Sequence, residues 1–354
     1  MFSEILLLLA GVYLAWSLGA NDAGNVVSTA VGSKTISFKK AMIFFVLCLG
    51  VGAIFLSKNV IKTVSSGIVE VDLITMNHAT IALLVAAAWV HFATWKGWPV
   101  SISQSVVSGV LGVGLAESLK TGANLIYWPK VLTLAGVWLF SPILGFLAGW
   151  IVFKVIHGFV RHRHLYFRDT LHDLFEHPIR TVKEWWSGDL RRREKVFKIV
   201  MLFSAGYMAV ALGSSTIAAT TGLIYSGFSG ESAELMFGWD MLSVIKVVVL
   251  TSVILGILTY GRHLVDFLGS RLIKLNALRG AIIQSSAATV IIVCALLGYP
   301  VSTTGVFVGS FLGVDSGEDH PHMKKHAAHT LRMAFLVTIP ITAGLSGILT
   351  WLIL

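Results

Sequence analysis

GWPVSISQSVVSGVLGV, from Gly97 to Val113, returns far along the chain as GYPVSTTGVFVGSFLGV, from Gly298 to Val314. Eight of these seventeen positions are identical, so the chain is an internal duplication. A second echo agrees: SPILGFLAG (Ser141 to Gly149) and IPITAGLSG (Ile339 to Gly347) share Pro142/Pro340, Ile143/Ile341, Leu147/Leu345 and Gly149/Gly347. In a membrane protein, paired apolar segments interrupted by Gly, Pro and Ser point to a substrate site at a repeat interface. The pattern reads as a transporter.

Composition places the chain in a bilayer. Of its 354 residues 55% are hydrophobic and only 13% charged, its mean hydropathy is +0.80, and apolar runs of roughly twenty residues recur throughout. The first run, Ile5 to Leu18, follows Glu4 with no preceding basic residue and no small-residue cleavage site, which favours a retained helix over a signal peptide. Cys48 and Cys294, the only cysteines, lie in apolar segments, which excludes a disulfide scaffold and a four-cysteine zinc site.

The net charge of +9 is concentrated rather than spread over a nucleic-acid-binding face. Ten Lys/Arg lie between Arg161 and Lys198, mixed with six Asp/Glu and with Trp185 and Trp186. That mixture suits an interfacial connector held on the cytoplasmic side by its positive charge. The expected organisation is a first membrane repeat (1–158), the connector (159–195) and a second membrane repeat (196–354). This is an all-α polytopic membrane protein with two inverted-topology repeats containing broken and re-entrant helices.

Each half carries the same order of pieces. In the first, a helix from Ile5 meets GANDAGN at Gly19, where a break is expected, and continues to Gly32. A span from Ala41 to Leu56, the amphipathic KNVIKTVSSGI and a span from Ala79 to Trp95 follow. Pro99 then opens a segment from Ser101 to Ala116, expected to be re-entrant because it reaches only about 24 Å. A long run from Val131 to Val155 contains Pro142. The second half repeats this with Val196 to Tyr225, Met241 to Tyr260, GRHLVDFLGSRLIKL, Ala281 to Leu297, Ser302 to Val314, and a last span from Ala334. Irregular backbone at membrane depth survives only where protein or a water-filled cavity satisfies it, so the expected breaks should converge on one polar site.

Asn21 and Asp22 lie inside an apolar helix. An intramembrane carboxylate costs at least ~2.5 kcal/mol to insert and is a functional candidate by default. With Asn25, Ser28 and Thr29 it supplies one charge and several neutral oxygens, a donor set for a hard cation such as sodium, although capping a half-helix is the competing role. At PVSIS and PVSTT, a proline precedes hydroxyls at Ser101, Ser103, Ser302, Thr303 and Thr304. Helix starts attract anions and hydroxyls add donors without charge, so two such starts facing one another would hold a small tetrahedral oxyanion.

GANDAGNVVSTAVGS, from Gly19 to Ser33, closely resembles the GANDVANSFGTSVGS signature of the inorganic phosphate transporter family. PVSTT resembles that family's PVSTTH, and GAIIQSSAATV (Gly280 to Val290) resembles GFxAELSAATV. The resemblance covers nearly the whole chain apart from the connector and implies an inverted repeat, a central oxyanion site and symport with sodium or protons. Oxyanion binding is expected at Ser101, Ser103, Gln104, Ser302, Thr303 and Thr304, and cation binding at Asn21, Asp22, Asn25 and Thr29. A second-half site is expected around Ser214, Ser215, Thr216 and Gln284.

The departures bear on substrate. FSAGYMAVALGSST stands where the family reads roughly FSHGANDVANAIGP, so Met208 and Ala209 replace Asn-Asp; Gln284 replaces a glutamate, and Gln104 and Gly305 stand where histidines are expected. Phosphate near neutral pH carries a proton and benefits from an acceptor, whereas sulfate carries none. Losing carboxylates moves the balance toward sulfate while Asp22 and the family resemblance favour phosphate, so both anions stay open. Lower cation stoichiometry than the family norm is expected.

Rival classes are weaker. GFSG at Gly227 and GLSG at Gly344 match the GxSG string of intramembrane serine proteases, but a nucleophilic serine needs a nearby histidine base. DSGEDHPHMKKHAAH (Asp315 to His329) could offer His326 and His329 to zinc, yet it reads more simply as a solvated loop. Channel filters are built from rings of like residues, unlike these broken halves. The expected setting is a multi-pass protein of the cell membrane, with an inorganic oxyanion and lipid as partners. No nucleic-acid partner, cofactor or resident metal is expected, and a homodimer is one assembly open to it.

Overall fold

The computed structural model describes residues 2–32, 38–70, 75–161, 190–228, 234–235, 239–261, 277–316 and 328–354; side chains at 23–32, 38–41, 157–161, 190–198, 234–235, 239, 277 and 334 are also outside the description. Among the described residues the first half has the helices α1 (Phe2–Gly32), α2 (Phe38–Phe55), α3 (Lys58–Ser66), α4 (Met76–Trp95), α5 (Ile102–Thr121) and α6 (Trp128–Arg161). In the second half α7 (Leu190–Leu212) passes through a π-helical turn, Gly213–Ile217, into α8 (Ala218–Gly227). Then come α9 (Met241–Gly256), α10 (Ala277–Leu296), α11 (Thr303–Asp315) and α12 (Ile339–Ile353). Further π-helical turns extend α9 over Ile257–Gly261 and precede α12 over Met333–Thr338. The strands among the described residues are a two-residue antiparallel pair, Glu234–Leu235 with Trp239–Asp240.

Among the described residues eight helices are long and apolar enough to cross a membrane, or nine if α2 and α3, bent by 64°, form one span. Burial separates lining from interior. Only 22% of the apolar window is buried in α6 and in the last span, against 72% in α5 and in the span that joins α7 to α8. Leu139, Phe140 and Ile151 on α6, and Leu352 on α12, are exposed where lipid would cover them. The inner helices instead carry Ser and Thr among small apolar residues, which suits close helix packing in lipid.

The packing obeys a two-fold exchange. Within the repeats α1 packs on α4 as α7 packs on α10, and α4 on α5 as α10 on α11. Between repeats, α1 packs on α9 as α7 packs on α2, and α5 on α12 as α11 packs on α6. Each half therefore completes the other. The chain has the expected architecture: an all-α polytopic membrane fold with two inverted-topology repeats.

Glycines set the closeness of these crossings. A Cβ at Gly19 would overlap the carbonyl of Val253 on α9, and one at Gly256 would overlap that of Trp16 on α1. The mate crossing repeats this, with Gly52 against Val210 and Gly213 against Leu49. On α11, Gly309 and Gly313 sit against the carbonyls of Pro142 and Phe146, while Gly112 on α5 sits against that of Ala343. Small residues that admit a partner's backbone are the membrane solution to helix association.

Two expectations change. α1 stays helical through GANDAGN: Gly19 serves the close approach to Val253 rather than an unwound segment, and the Asn21 side chain bonds across to α4 instead of freeing backbone. Irregularity appears instead in the second half, at the π-helical turn over Gly213–Ile217. The segment from Ser101 extends to Thr121 rather than Ala116, long enough at about 30 Å to reach a membrane face, whereas its mate α11 is the shorter, at 13 residues. KNVIKTVSSGI is the helix α3, as its pattern predicts, but GRHLVDFLGSRLIKL from Arg262 onward and residues 162–189 of the connector lie outside the described residues. α6 runs to Arg161 and α7 starts at Leu190, so both described ends of the connector are helical.

Candidate functional site at the repeat interface

The two PVS segments meet inside the bundle. Ser101 is the N-cap of α5, its Oγ accepting from the Gln104 amide at 3.4 Å. Ser302 is the N-cap of α11, its Oγ accepting from the Gly305 amide at 3.1 Å. Thr304 Oγ1 donates to the carbonyl of Val100 at 3.2 Å, tying one start to the other across the repeats. Ser101, Ser103, Gln104, Ser302, Thr303 and Thr304 are all buried. Proline before each cap is pre-set to an extended entry and gives up a donor that no ladder would use.

The caps use Ser101 and Ser302 for the protein's own amides, so binding capacity lies one step further in. Ser103 Oγ, Thr303 Oγ1 and both amide atoms of Gln104 are buried with no hydrogen-bond partner among the described residues. Leaving such a group unsatisfied costs about 1–3 kcal/mol. A polar occupant that both donates and accepts would satisfy them, and a protonated tetrahedral oxyanion does both.

Helix α1 brings the carboxylate. Asp22 is 1% exposed and Asn21 fully buried. Asn21 Nδ2 donates to Thr94 Oγ1 on α4 at 2.8 Å, and Thr94 Oγ1 donates onward to the carbonyl of Val90 at 2.7 Å. Asn21 Oδ1 and Ser17 Oγ, one helical turn apart, have no hydrogen-bond partner among the described residues. One carboxylate beside neutral oxygens is a donor set for a monovalent hard cation. Asn25 and Thr29 continue α1, but their side chains are outside the described residues.

The second-half candidates surround the π-helical turn. Ser214 Oγ turns back to the carbonyl of Ala211 at 2.8 Å, while Ser215 Oγ and Thr216 Oγ1 are buried without a partner among the described residues. The turn touches α5 and α10, and Gln284 on α10 is fully buried. π-helical turns inside α-helices widen one turn and recur at functional sites. Met208 and Ala209, where the resemblance expects Asn-Asp, are fully buried and apolar, so this half offers hydroxyls and an amide where the first offers Asp22.

Sequence reading missed Thr94, Ser17 and the aromatic cluster above them. Tyr13 Oη and His91 Nδ1 lie 2.7 Å apart, with Trp16 and Tyr260 packed edge-on and tilted around them. The available signal was spacing: Tyr13, Ser17 and Asn21 share one face of α1, as His91 and Thr94 do on α4. His78 caps α4 through Thr75 and meets Glu117 at 3.3 Å, and His329 packs edge-on against Trp98. Ser346 is buried without a histidine partner among the described residues, and Ser229 of GFSG lies outside them, as do residues 317–327 of the histidine-rich stretch.

A bundle of two inverted repeats with polar helix starts buried at their interface defines a membrane transporter. The chain belongs to the phosphate transporter family, whose model matches residues 18–346. It is 27% identical to a "Putative phosphate permease" of Thermococcus kodakarensis, over 98% of this chain and 96% of that protein. It is 23% identical to "Inorganic phosphate transporter 2-1, chloroplastic" of Arabidopsis thaliana, over 98% of this chain and 71% of that one. A solved structure described as "The sodium-dependent phosphate transporter" superposes with a TM-score of 0.85 at 25% identity, covering 100% of both chains.

Proposed function

We propose that this protein is a sodium-coupled symporter of inorganic phosphate in a cell membrane. The observation that carries the reading is the junction of Val100 and Thr304, which ties two capped helix starts together next to buried hydroxyl and amide groups that have no partner among the described residues. Phosphate binds there between Ser103, Gln104 and Thr303, with Ser101 and Ser302 holding the helix starts in shape. Asp22 and Asn21 take the sodium ion, and the Asn21 to Thr94 contact fixes their orientation. Ser215, Thr216 and Gln284 contribute neutral contacts from the second half. Cation and anion reduce one another's cost of entering the low-dielectric interior, which couples their transport.

The units of this reading are a first repeat over 1–158, a connector over 159–195 on the cytoplasmic side, and a second repeat over 196–354. The two related halves rock about the central site. The loss of Asn-Asp at Met208 and Ala209 leaves one carboxylate in the signature positions and lowers sodium stoichiometry. Sulfate is the second reading, favoured by that loss and by neutral Gln284; phosphate is preferred because the family and the named relatives are phosphate proteins.

The test is counterflow in proteoliposomes loaded with unlabelled phosphate. Labelled phosphate should enter and be displaced by external phosphate far better than by sulfate. Equal or better displacement by sulfate would transfer the site to sulfur oxyanions.

A further inference from the structure

A cleft of about 600 Å³ opens where α3, the start of α6 and the turn after α10 meet. Lys62 and Lys130 line it with Asn59, Thr63, Ser66 and Gly298, and among the described residues no carboxylate is part of the lining. Neither lysine has a carboxylate partner among the described residues. Lys130 Nζ lies 4.9 Å from the centre of the Tyr299 ring, and Asn59 Nδ2 donates to the carbonyl of Leu296. The wall is built closely: Gly298 has φ +81°, and a side chain there would press on Thr63 Oγ1 and the carbonyl of Asn59. Two cations, hydroxyls and amide groups around a concave wall match the charge and the acceptor-rich surface of a phosphate group.

We propose that this cleft binds a phosphate group ahead of the central site. Gly298 on its lining opens the GYPVS turn that leads to the cap Ser302, and Trp138 Nε1 pins that turn by donating to the Pro300 carbonyl at 2.7 Å. α6, 34 residues long, begins beside the cleft and ends at the connector, so with the connector cytoplasmic the cleft faces outward, where imported phosphate arrives. Two lysines there raise the local concentration of a dianion. The occupant is free phosphate or the headgroup of an anionic lipid, and the role in import rests on the proposed function, whereas binding itself does not.

The experiment uses the full chain in phosphatidylcholine vesicles, with and without phosphatidylglycerol. Labelling of Lys62 and Lys130 by an amine-reactive reagent is compared with that of Lys58, on the same helix but outside the lining, at constant ionic strength. Inorganic phosphate should protect Lys62 and Lys130 about threefold relative to chloride. In phosphatidylcholine, K62Q and K130Q should each raise the KM for phosphate uptake about threefold with kcat unchanged. Protection by phosphatidylglycerol alone, with KM in phosphatidylcholine unmoved by the substitutions, assigns the cleft to a lipid headgroup. Relative labelling that responds to neither would overturn the proposal. If the parent carries no phosphate at all the import reading fails, yet the labelling still decides whether the cleft binds a phosphate group.

Discussion

The Thr304 hydroxyl donates to the carbonyl of Val100 at 3.2 Å, so the entry to the second repeat's inner helix is fastened to the backbone of the first. Thr304→Val keeps the shape but leaves that buried carbonyl without its donor, a loss of about 1–3 kcal/mol. We expect a fall of roughly tenfold or more in phosphate transport, with Thr304→Ser close to the parent. Uptake by both variants, normalised to folded protein from size-exclusion chromatography, checks this.

Glycine substitutions should separate packing from tolerance. Gly19→Ala, Gly52→Ala, Gly213→Ala and Gly256→Ala each push a Cβ into a backbone carbonyl of the other repeat. Overpacking of this kind costs about 1–3 kcal/mol or more, and the carbonyls cannot move aside singly. Gly50→Ala and Gly344→Ala meet nothing nearby and should leave the melting temperature in detergent within error, while the first four lower it by several degrees.

The duplication was legible because both copies need the same local chemistry: a glycine at positive φ, Gly97 and Gly298, then proline and a capping serine. The helices were legible from their apolar runs. The smooth course of α1 through GANDAGN was not, since Gly, Asn and Asp suit a break, and only the neighbour at Val253 shows that Gly19 is there for proximity. The Gly213–Ile217 turn left no pattern, because a π-helical turn adds one residue without changing composition. The exchange of partners between repeats is a long-range property; its trace was glycine on both members of each crossing. At the site, hydroxyl positions were legible but their roles were not. Ser101 and Ser302 cap, and the groups without a partner among the described residues belong to Ser103, Gln104 and Thr303.

In the proposed function Asp22 is the acid on which coupling rests. Asp22→Asn keeps its size and removes the charge, and should abolish sodium-driven accumulation while the protein stays folded in detergent. Thr94→Val, which takes away the acceptor of the Asn21 amide, should weaken apparent sodium affinity more than phosphate affinity. Uptake by Asp22→Asn within about twofold of the parent would reduce Asp22 to a structural role.

Selectivity should respond to Gln284. A buried carboxylate accepts the proton of phosphate but only repels a fully ionised anion. Gln284→Glu should therefore move competition further toward phosphate, most clearly between pH 6 and 8, as read by sulfate inhibition of phosphate uptake. A variant with the parent's inhibition curve would place Gln284 outside the reach of the anion.

Concentrative uptake of labelled phosphate into proteoliposomes tests the account most directly. With an inward sodium gradient, internal phosphate should rise above the external concentration and fall back when a sodium ionophore is added. Entry that merely equilibrates, with or without the gradient, would contradict sodium-coupled symport and leave a passive pathway in its place.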